Sequence, residues 1–187
     1  MQTSAQQRFE SAFPNVIKRY GLSLVGAVAL MYFGYQYLPL PVPEVNGVAD
    51  QLVYALRWQM PAVALLVFFI HDVGMARKDT GTPDPVTVRH EPESLAVRRA
   101  VLLNTVEQLL LHSPSMLVLA TYLRPDQLKL IPILSCLFVV GRLWYRVGYI
   151  NPENLRTNRA SGMGLTFFPT LAVIVYNMYR LVSGCLY

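Results

Sequence analysis

The sequence predicts an all-α protein that is integral to a membrane and crosses it five times. Hydrophobic residues make up 53% of the chain and charged residues only 14%, a composition more apolar than that of an ordinary soluble domain. Five apolar runs are long enough for a hydrocarbon core about 30 Å thick, which a helix of roughly 20 residues crosses. The runs are Tyr20–Leu40, Val53–Met75, Leu95–Leu123, Leu128–Ile150 and Gly162–Val182.

The first run is predicted to be a retained transmembrane helix rather than a cleaved signal peptide. A polar stretch precedes it, Pro39 and Pro41 end it, and no small-residue cleavage site such as Ala-x-Ala follows it. The predicted organisation is therefore a cytosolic N-terminal segment over residues 1–19, one extra transmembrane helix over 20–40, and a four-helix membrane domain over 53–183.

The distribution of lysine and arginine predicts that the N-terminus is cytosolic. Arg8, Lys18 and Arg19 precede the first run, and the second connection, between residues 77 and 99, is also rich in basic residues. The first connection has none, and the third has few, at its edges. Because basic loops stay in the cytosol, the net charge of +5 reflects topology, and membrane lipids rather than nucleic acid are the expected surroundings.

Both cysteines lie in or next to predicted transmembrane runs. Cys136 lies in the fourth run and Cys185 just beyond the fifth, and neither belongs to a disulfide framework or a zinc-binding spacing. No metal site is predicted.

Polar side chains interrupt the third and fourth runs at membrane depth, where they are costly and usually mark a site or a helix contact. Asn104 and Glu107 are three residues apart and share one helical face. Arg142, Tyr145 and Tyr149 share one face of the next helix. A carboxylate cannot stay both charged and unpaired in lipid, so Glu107 must be protonated, paired with an arginine or exposed to a wet cavity, and Arg142 is a candidate partner. A structural ion pair and a ligand site remain alternatives at this point.

Four further polar groups are expected to have structural roles. His112 is predicted to be hydrogen-bonded within the bundle, and Asn177 to make a hydrogen bond between helices. His71 and Asp72, at the end of the second run, are expected to lie at the level of the lipid headgroups.

Two of these segments resemble signatures of the MAPEG superfamily, the membrane-associated proteins in eicosanoid and glutathione metabolism. The segment from Asn104 to Glu107 resembles the Asn-x-x-Glu signature. The segment from Arg142 to Tyr149 resembles the element Arg-x-x-Tyr-x-x-Gly-Tyr. The resemblance covers residues 53–183 and implies a four-helix MAPEG-type bundle, here with one extra N-terminal helix. It also implies a homotrimer that binds glutathione between subunits near the cytosolic face.

The resemblance implies roles for individual residues. The glutathione-binding set would be Asn104, Glu107, Arg142, Tyr145 and Tyr149. Arg156, seven residues after Tyr149, would be the catalytic arginine that stabilises the glutathione thiolate. Lowering the pKa of a thiol by about two units from its usual value of about 8.5 takes roughly 3 kcal/mol, which a guanidinium in a partly dry pocket can supply. The alternatives are contacts of Arg156 with lipid headgroups and an interfacial aromatic belt for the tyrosines.

The chain departs from the enzymes of this family at one important position. Those enzymes commonly carry an arginine four residues before the signature asparagine, but this chain has Ala100 there. Arg98 and Arg99 lie nearby on other helical faces. Because the arginine fork binds carboxylates in a bidentate manner, its loss would weaken the capture of glutathione.

Other segments resemble the mattrin-like, five-span members of the same superfamily. These are residues 120–123, 128–132 and 164–169. This resemblance implies a non-enzymatic protein of secretory or lysosomal trafficking that acts through lipid or protein contacts. Two hypotheses therefore follow: a glutathione transferase or peroxidase that acts on a lipophilic substrate, and a non-catalytic relative. Either would reside in the membrane of the endoplasmic reticulum, Golgi or lysosome.

Overall fold

A computed structural model shows a bundle of α-helices and describes residues 4–40, 42, 44–81, 91–151 and 157–185. The helices are α1 (Ser4–Tyr37), α2 (Val48–Arg57), α3 (Met60–Asp79), α4 (Glu93–Tyr122), α5 (Leu130–Ile150) and α6 (Arg159–Cys185), and a 3-10 turn over Pro125–Gln127 precedes α5. No strand occurs among the described residues. The predicted all-α class is confirmed.

Within the described part of the chain, four segments are long and apolar enough to cross a membrane. They are Phe13–Tyr37, Val48–Asp79, Pro125–Ile150 and Arg159–Gly184, and they correspond to the first, second, fourth and fifth predicted runs. Helix α4 corresponds to the third run and has 30 residues, but polar side chains such as Asn104, Glu107 and Gln108 make it less apolar than those four segments. It packs against α2, α3, α5 and α6, so protein surrounds much of its polar surface. The chain is an integral, multi-pass membrane protein.

The second predicted run is divided into two helices, which the apolar pattern did not indicate. Helix α2 ends at Arg57 and α3 begins at Met60, with a turn at residues 58 and 59 between them. Pro61 lies in the first turn of α3. Proline has no backbone N–H and its ring clashes with the carbonyl four residues earlier, which explains the break.

Helices α5 and α6 cross closely because glycine occupies their contact. A Cβ atom added to Gly162 would lie 2.6 Å from the carbonyl oxygen of Gly141 and 2.6 Å from the Cα of Tyr145. Real side chains do not approach so near, so small residues are required there. This crossing fixes the position of Tyr145, which belongs to the predicted site.

The additional helix α1 packs on the outside of the bundle, against α5 and α6. Its buried contacts are Ala27, which lies in a cluster with Leu137 and Leu165, and Ser23, which faces Gly164. Much of its remaining surface is apolar and exposed, including Leu22 and Val25. This is the surface that a membrane helix presents to lipid.

Candidate functional site

The outward face of α4 carries the predicted carboxylate and amide. Glu107 is exposed and Asn104 is half-buried. Asn104 Nδ2 donates a hydrogen bond to Glu107 Oε2 at 3.2 Å, as the spacing of three residues on one helical face allows. Leu103 and Leu110, also exposed, flank this pair on α4. A charged group therefore stands on an otherwise apolar surface.

Arg142 on α5 is completely buried, with 0% of its surface exposed. Its Nη2 donates to Asn104 Oδ1 at 2.9 Å, and its Nε and Nη2 donate to Thr105 Oγ1 at 3.2 and 3.1 Å. Its Nη1 lies 3.8 Å from the sulfur of Met163. Neutral groups thus receive every hydrogen bond described for this guanidinium.

The candidate pair of Arg142 with Glu107 does not form as a direct ion pair. Among the described residues, no carboxylate lies within 4.0 Å of Arg142. The amide of Asn104 stands between the two charges, since its oxygen accepts from the guanidinium and its nitrogen donates to the carboxylate. Both bonds require the same orientation of the amide, so Asn104 relays the charge of Arg142 to Glu107.

The two predicted tyrosines continue this series of contacts toward the end of α5. The Arg142 guanidinium lies 4.1 Å from the centre of the Tyr145 ring, a cation–π distance. The ring centres of Tyr145 and Tyr149 are 5.5 Å apart. Tyr145 is only 6% exposed and Tyr149 is half-buried. All five predicted binding residues therefore form one cluster linked by contacts. Arg142 and Tyr145 lie in the interior of this cluster rather than at its surface.

A sixth member of this cluster was not predicted. The Arg159 guanidinium lies 4.5 Å from the centre of the Tyr149 ring, and Arg159 is the first residue of α6. The sequence could not place it, because its position depends on the loop that joins α5 to α6. Arg156, the predicted catalytic residue, lies in that loop and outside the described residues.

A second polar cluster, centred on Asp72, was not predicted from the sequence. Asp72 accepts hydrogen bonds from Arg98 Nη1 at 3.1 Å and from Arg146 Nε and Nη2 at 3.0 and 2.8 Å. Its side chain is 14% exposed. Asp72 thus joins α3, α4 and α5, and its level at the headgroups stays a prediction. The arginines could have indicated this cluster, because a buried arginine in an apolar helix needs an acidic partner.

Neither arginine near Ala100 substitutes for the missing family arginine. Arg98 is committed to Asp72. Arg99 Nη2 lies 2.8 Å from Glu91 Oε2. With Ala100 in place of the family arginine, neither of these two arginines offers this face of α4 a free fork.

The interior hydrogen bonds expected from the sequence are present. His112 is buried, with Nδ1 3.3 Å from Thr170 Oγ1, and its ring stacks on Phe138 at 4.4 Å. Asn177 Nδ2 donates to the carbonyl of Ser115 at 2.8 Å. Both bonds join α4 to α6.

Comparisons with known proteins agree with the fold and the motifs. The model of the MAPEG family matches residues 56–179, which is more than half of the chain and close to the range 53–183 expected from the motifs. Transmembrane protein 79 of Mus musculus is 32% identical over 163 residues, which cover 84% of this chain and 39% of that protein. The protein of the same name from Bos taurus is 32% identical over 165 residues, covering 85% of this chain and 39% of that protein.

The chain therefore spans about 39% of the length of the curated relatives that it matches. Transmembrane protein 79 is mattrin, so the predicted resemblance to mattrin-like members is confirmed. No solved structure matches the chain at a significant level.

Proposed function

Because the chain belongs to the MAPEG family, we propose that it binds glutathione at a cytosol-facing site that a neighbouring subunit of a homotrimer completes. Bound glutathione would supply a thiol that conjugates or reduces a lipophilic substrate arriving from the membrane. The activity would be that of a glutathione transferase or peroxidase.

The observation that carries this proposal is the exposed carboxylate of Glu107 on the outward face of α4. A charge that faces lipid is expensive, yet the structure supports this one through Asn104 and, behind it, Arg142. A second subunit packed on this face would remove Glu107 from lipid. The amino group of glutathione would then supply the opposite charge that Glu107 lacks within its own subunit.

The residues present fit part of glutathione. Glu107 and Asn104 offer oxygens to an ammonium group, which only donates hydrogen bonds. Tyr149 lies at the outer edge of the aromatic pair, and Arg159 stacks on it. Arg156 would hold the thiolate, since a nearby guanidinium favours the anionic form of a thiol. The carboxylates of glutathione have no dedicated arginine at Ala100, which predicts a weak site.

A second function is favoured by the burial of the cluster and by the relatives. Arg142 and Tyr145 are inaccessible within the subunit, and both matched relatives are Transmembrane protein 79. Under this alternative the protein is a non-enzymatic, mattrin-like component of secretory or lysosomal trafficking. The Glu107 face would then serve subunit assembly or contacts with lipids and proteins.

Direct measurement of glutathione binding separates the two functions. The detergent-purified protein is titrated with millimolar glutathione by calorimetry, and the thiolate is followed by ultraviolet absorbance. We expect binding in the wild type, a clear loss in Glu107→Gln, and no change in Asp126→Asn, which alters an exposed carboxylate at the other end of the bundle. Loss of the thiolate signal in Arg156→Ala with binding retained would support the catalytic assignment.

The absence of both heat and thiolate absorbance in the folded wild type would reject the enzymatic proposal in favour of the mattrin-like one. Native mass spectrometry of the same preparation measures whether the homotrimer forms. A monomer would contradict the shared site, because Glu107 would then have no second subunit to cover it.

A further inference from the structure

A cavity of about 330 Å³ lies between α1 and α5, at the opposite end of α5 from Tyr145 and Tyr149. Its walls consist almost entirely of apolar side chains. The lining includes Leu30, Leu38, Pro132, Ile133, Cys136 and Val140. Since one wall belongs to α1, the cavity depends on the helix that precedes the family-matched residues 56–179.

The contacts between α1 and α5 show that the cavity is part of a packed helix pair. Gly34 is buried, and a Cβ atom added to it would lie 3.4 Å from Ile133 Cγ2. Ala27, two turns earlier on α1, packs with Leu137. The two helices therefore touch along this line, and the cavity opens beside it. A defined shape of this kind differs from the smooth outer surface that α1 presents elsewhere.

A cation bridges α1 and α5 next to the residues that line the cavity, since Tyr35 follows Gly34, which contacts the lining residue Ile133. Lys129 immediately precedes α5, about one turn before Pro132 and Ile133, and its Nζ is 3.8 Å from the centre of the Tyr35 ring. Among the described residues, no carboxylate lies within 4.0 Å of the Lys129 ammonium. Tyr35 thus holds the ammonium in place through its ring, and none of the described carboxylates pairs with this positive charge.

We propose that this cavity binds one long-chain fatty acid, with its alkyl chain between α1 and α5 and its carboxylate on Lys129. The volume lies at the small end of the range of about 300–1,000 Å³ for small-molecule sites, which suits one alkyl chain rather than the two of a phospholipid. In a bilayer an alkyl chain gains little by moving from lipid to protein. Selectivity must then come from the charge-assisted contact between the carboxylate and the ammonium.

The test uses the full chain in phosphatidylcholine nanodiscs with palmitate that carries a diazirine on its alkyl chain. After irradiation, mass spectrometry locates the adducts. We expect them on the cavity walls of α1 and α5, and we expect unlabelled palmitate to compete. Lys129→Gln should weaken labelling by about tenfold, the loss expected for one hydrogen bond between charged groups. Arg124→Gln, a change of a nearby exposed cation, should leave labelling unchanged.

Filling the cavity gives an independent arm. Leu30→Trp should abolish labelling, whereas Val28→Trp, at a similarly exposed position of α1 that does not line the cavity, should not. If Leu30→Trp fails to fold, Cys136→Phe fills the cavity from α5 instead. Adducts spread evenly over all outward helix faces would overturn the proposal. Equal labelling by a diazirine phosphatidylcholine, or labelling unaffected by both Lys129→Gln and the filled cavity, would also overturn it. The site is separate from the proposed glutathione site, so either proposal can fail alone.

Discussion

Two acidic side chains of the bundle, Asp72 and Glu107, have opposite surroundings. Asp72 receives three hydrogen bonds from the arginines of two other helices and is 14% exposed. Glu107 is exposed, and the one hydrogen bond described for it comes from a neutral amide. The carboxylate of Asp72 is therefore paired within the subunit, whereas that of Glu107 has no cationic partner among the described residues.

This difference separates a structural charge from a binding charge. A carboxylate that is paired and hydrogen-bonded inside the bundle fixes how helices fit together. A carboxylate that is held in position but left without an opposite charge can still take a ligand or a partner. The cluster behind Glu107 also contains a buried guanidinium with only neutral partners, so its positive charge is available to support an anion on α4.

The largest effect should follow from breaking the contacts of Asp72 with its two arginines. Asp72→Ala leaves the guanidinium groups of Arg98 and Arg146 partly buried without their anion. We expect a loss of about 2–3 kcal/mol in the free energy of unfolding, somewhat below the cost of breaking a fully buried pair. Chemical denaturation in detergent measures it. Asp126→Ala, which removes an exposed pair with Arg124 at 3.5 Å, should cost less than about 1 kcal/mol. Equal losses in both variants would show that Asp72 is not a structural anchor.

The next effect tests whether Arg142 supports Glu107 through Asn104. Arg142→Lys keeps the charge but loses the planar fork that reaches Asn104 and Thr105 together. We expect a loss of about 1–2 kcal/mol in stability, together with weaker glutathione binding.

Arg180→Lys is the matched control, because Arg180 also lies over a tyrosine ring, that of Tyr122, but far from the cluster. It should leave both stability and glutathione affinity nearly unchanged. Full glutathione affinity in Arg142→Lys would contradict the relay through Asn104.

The sequence was sufficient to predict the apolar spans and most members of the cluster around Arg142. Apolar length located the spans, and the short spacing of Asn104 and Glu107 fixed their shared face. Long-range geometry was not accessible in the same way. The arginines of α4 and α5 could have paired with either Glu107 or Asp72, and only the packing of α3 brings Asp72 between Arg98 and Arg146. The approach of Arg159 to Tyr149 likewise depends on how segments meet. The break before Pro61 has a local cause in the proline ring, but the apolar pattern alone did not indicate it.

A gain of function should follow from restoring the family arginine. Ala100→Arg places a guanidinium one helical turn before Asn104, on the face that carries Glu107. If glutathione binds there, the new fork should hold a glutathione carboxylate and raise affinity by about tenfold, or roughly 1.4 kcal/mol. Ala96→Arg, one turn nearer the start of α4, adds the same charge at a greater distance from Asn104 and Glu107. Titration calorimetry that found equal gains in both variants would indicate general attraction of an anion rather than a specific contact.

The smallest effect on stability should come from Glu107 itself, and this makes it the sharpest test of the comparison. Glu107→Gln keeps an oxygen to accept the hydrogen bond from Asn104, and the side chain is exposed. We expect the free energy of unfolding of the subunit to change by less than about 0.5 kcal/mol. Chemical denaturation should therefore separate it clearly from Asp72→Ala, while native mass spectrometry follows assembly. A destabilisation as large as that of Asp72→Ala, with the oligomer lost, would mean that a neighbouring subunit already supplies the missing charge. Glu107 would then be a structural anchor between subunits, as Asp72 is within one, and no amino group of a ligand would be needed to complete it.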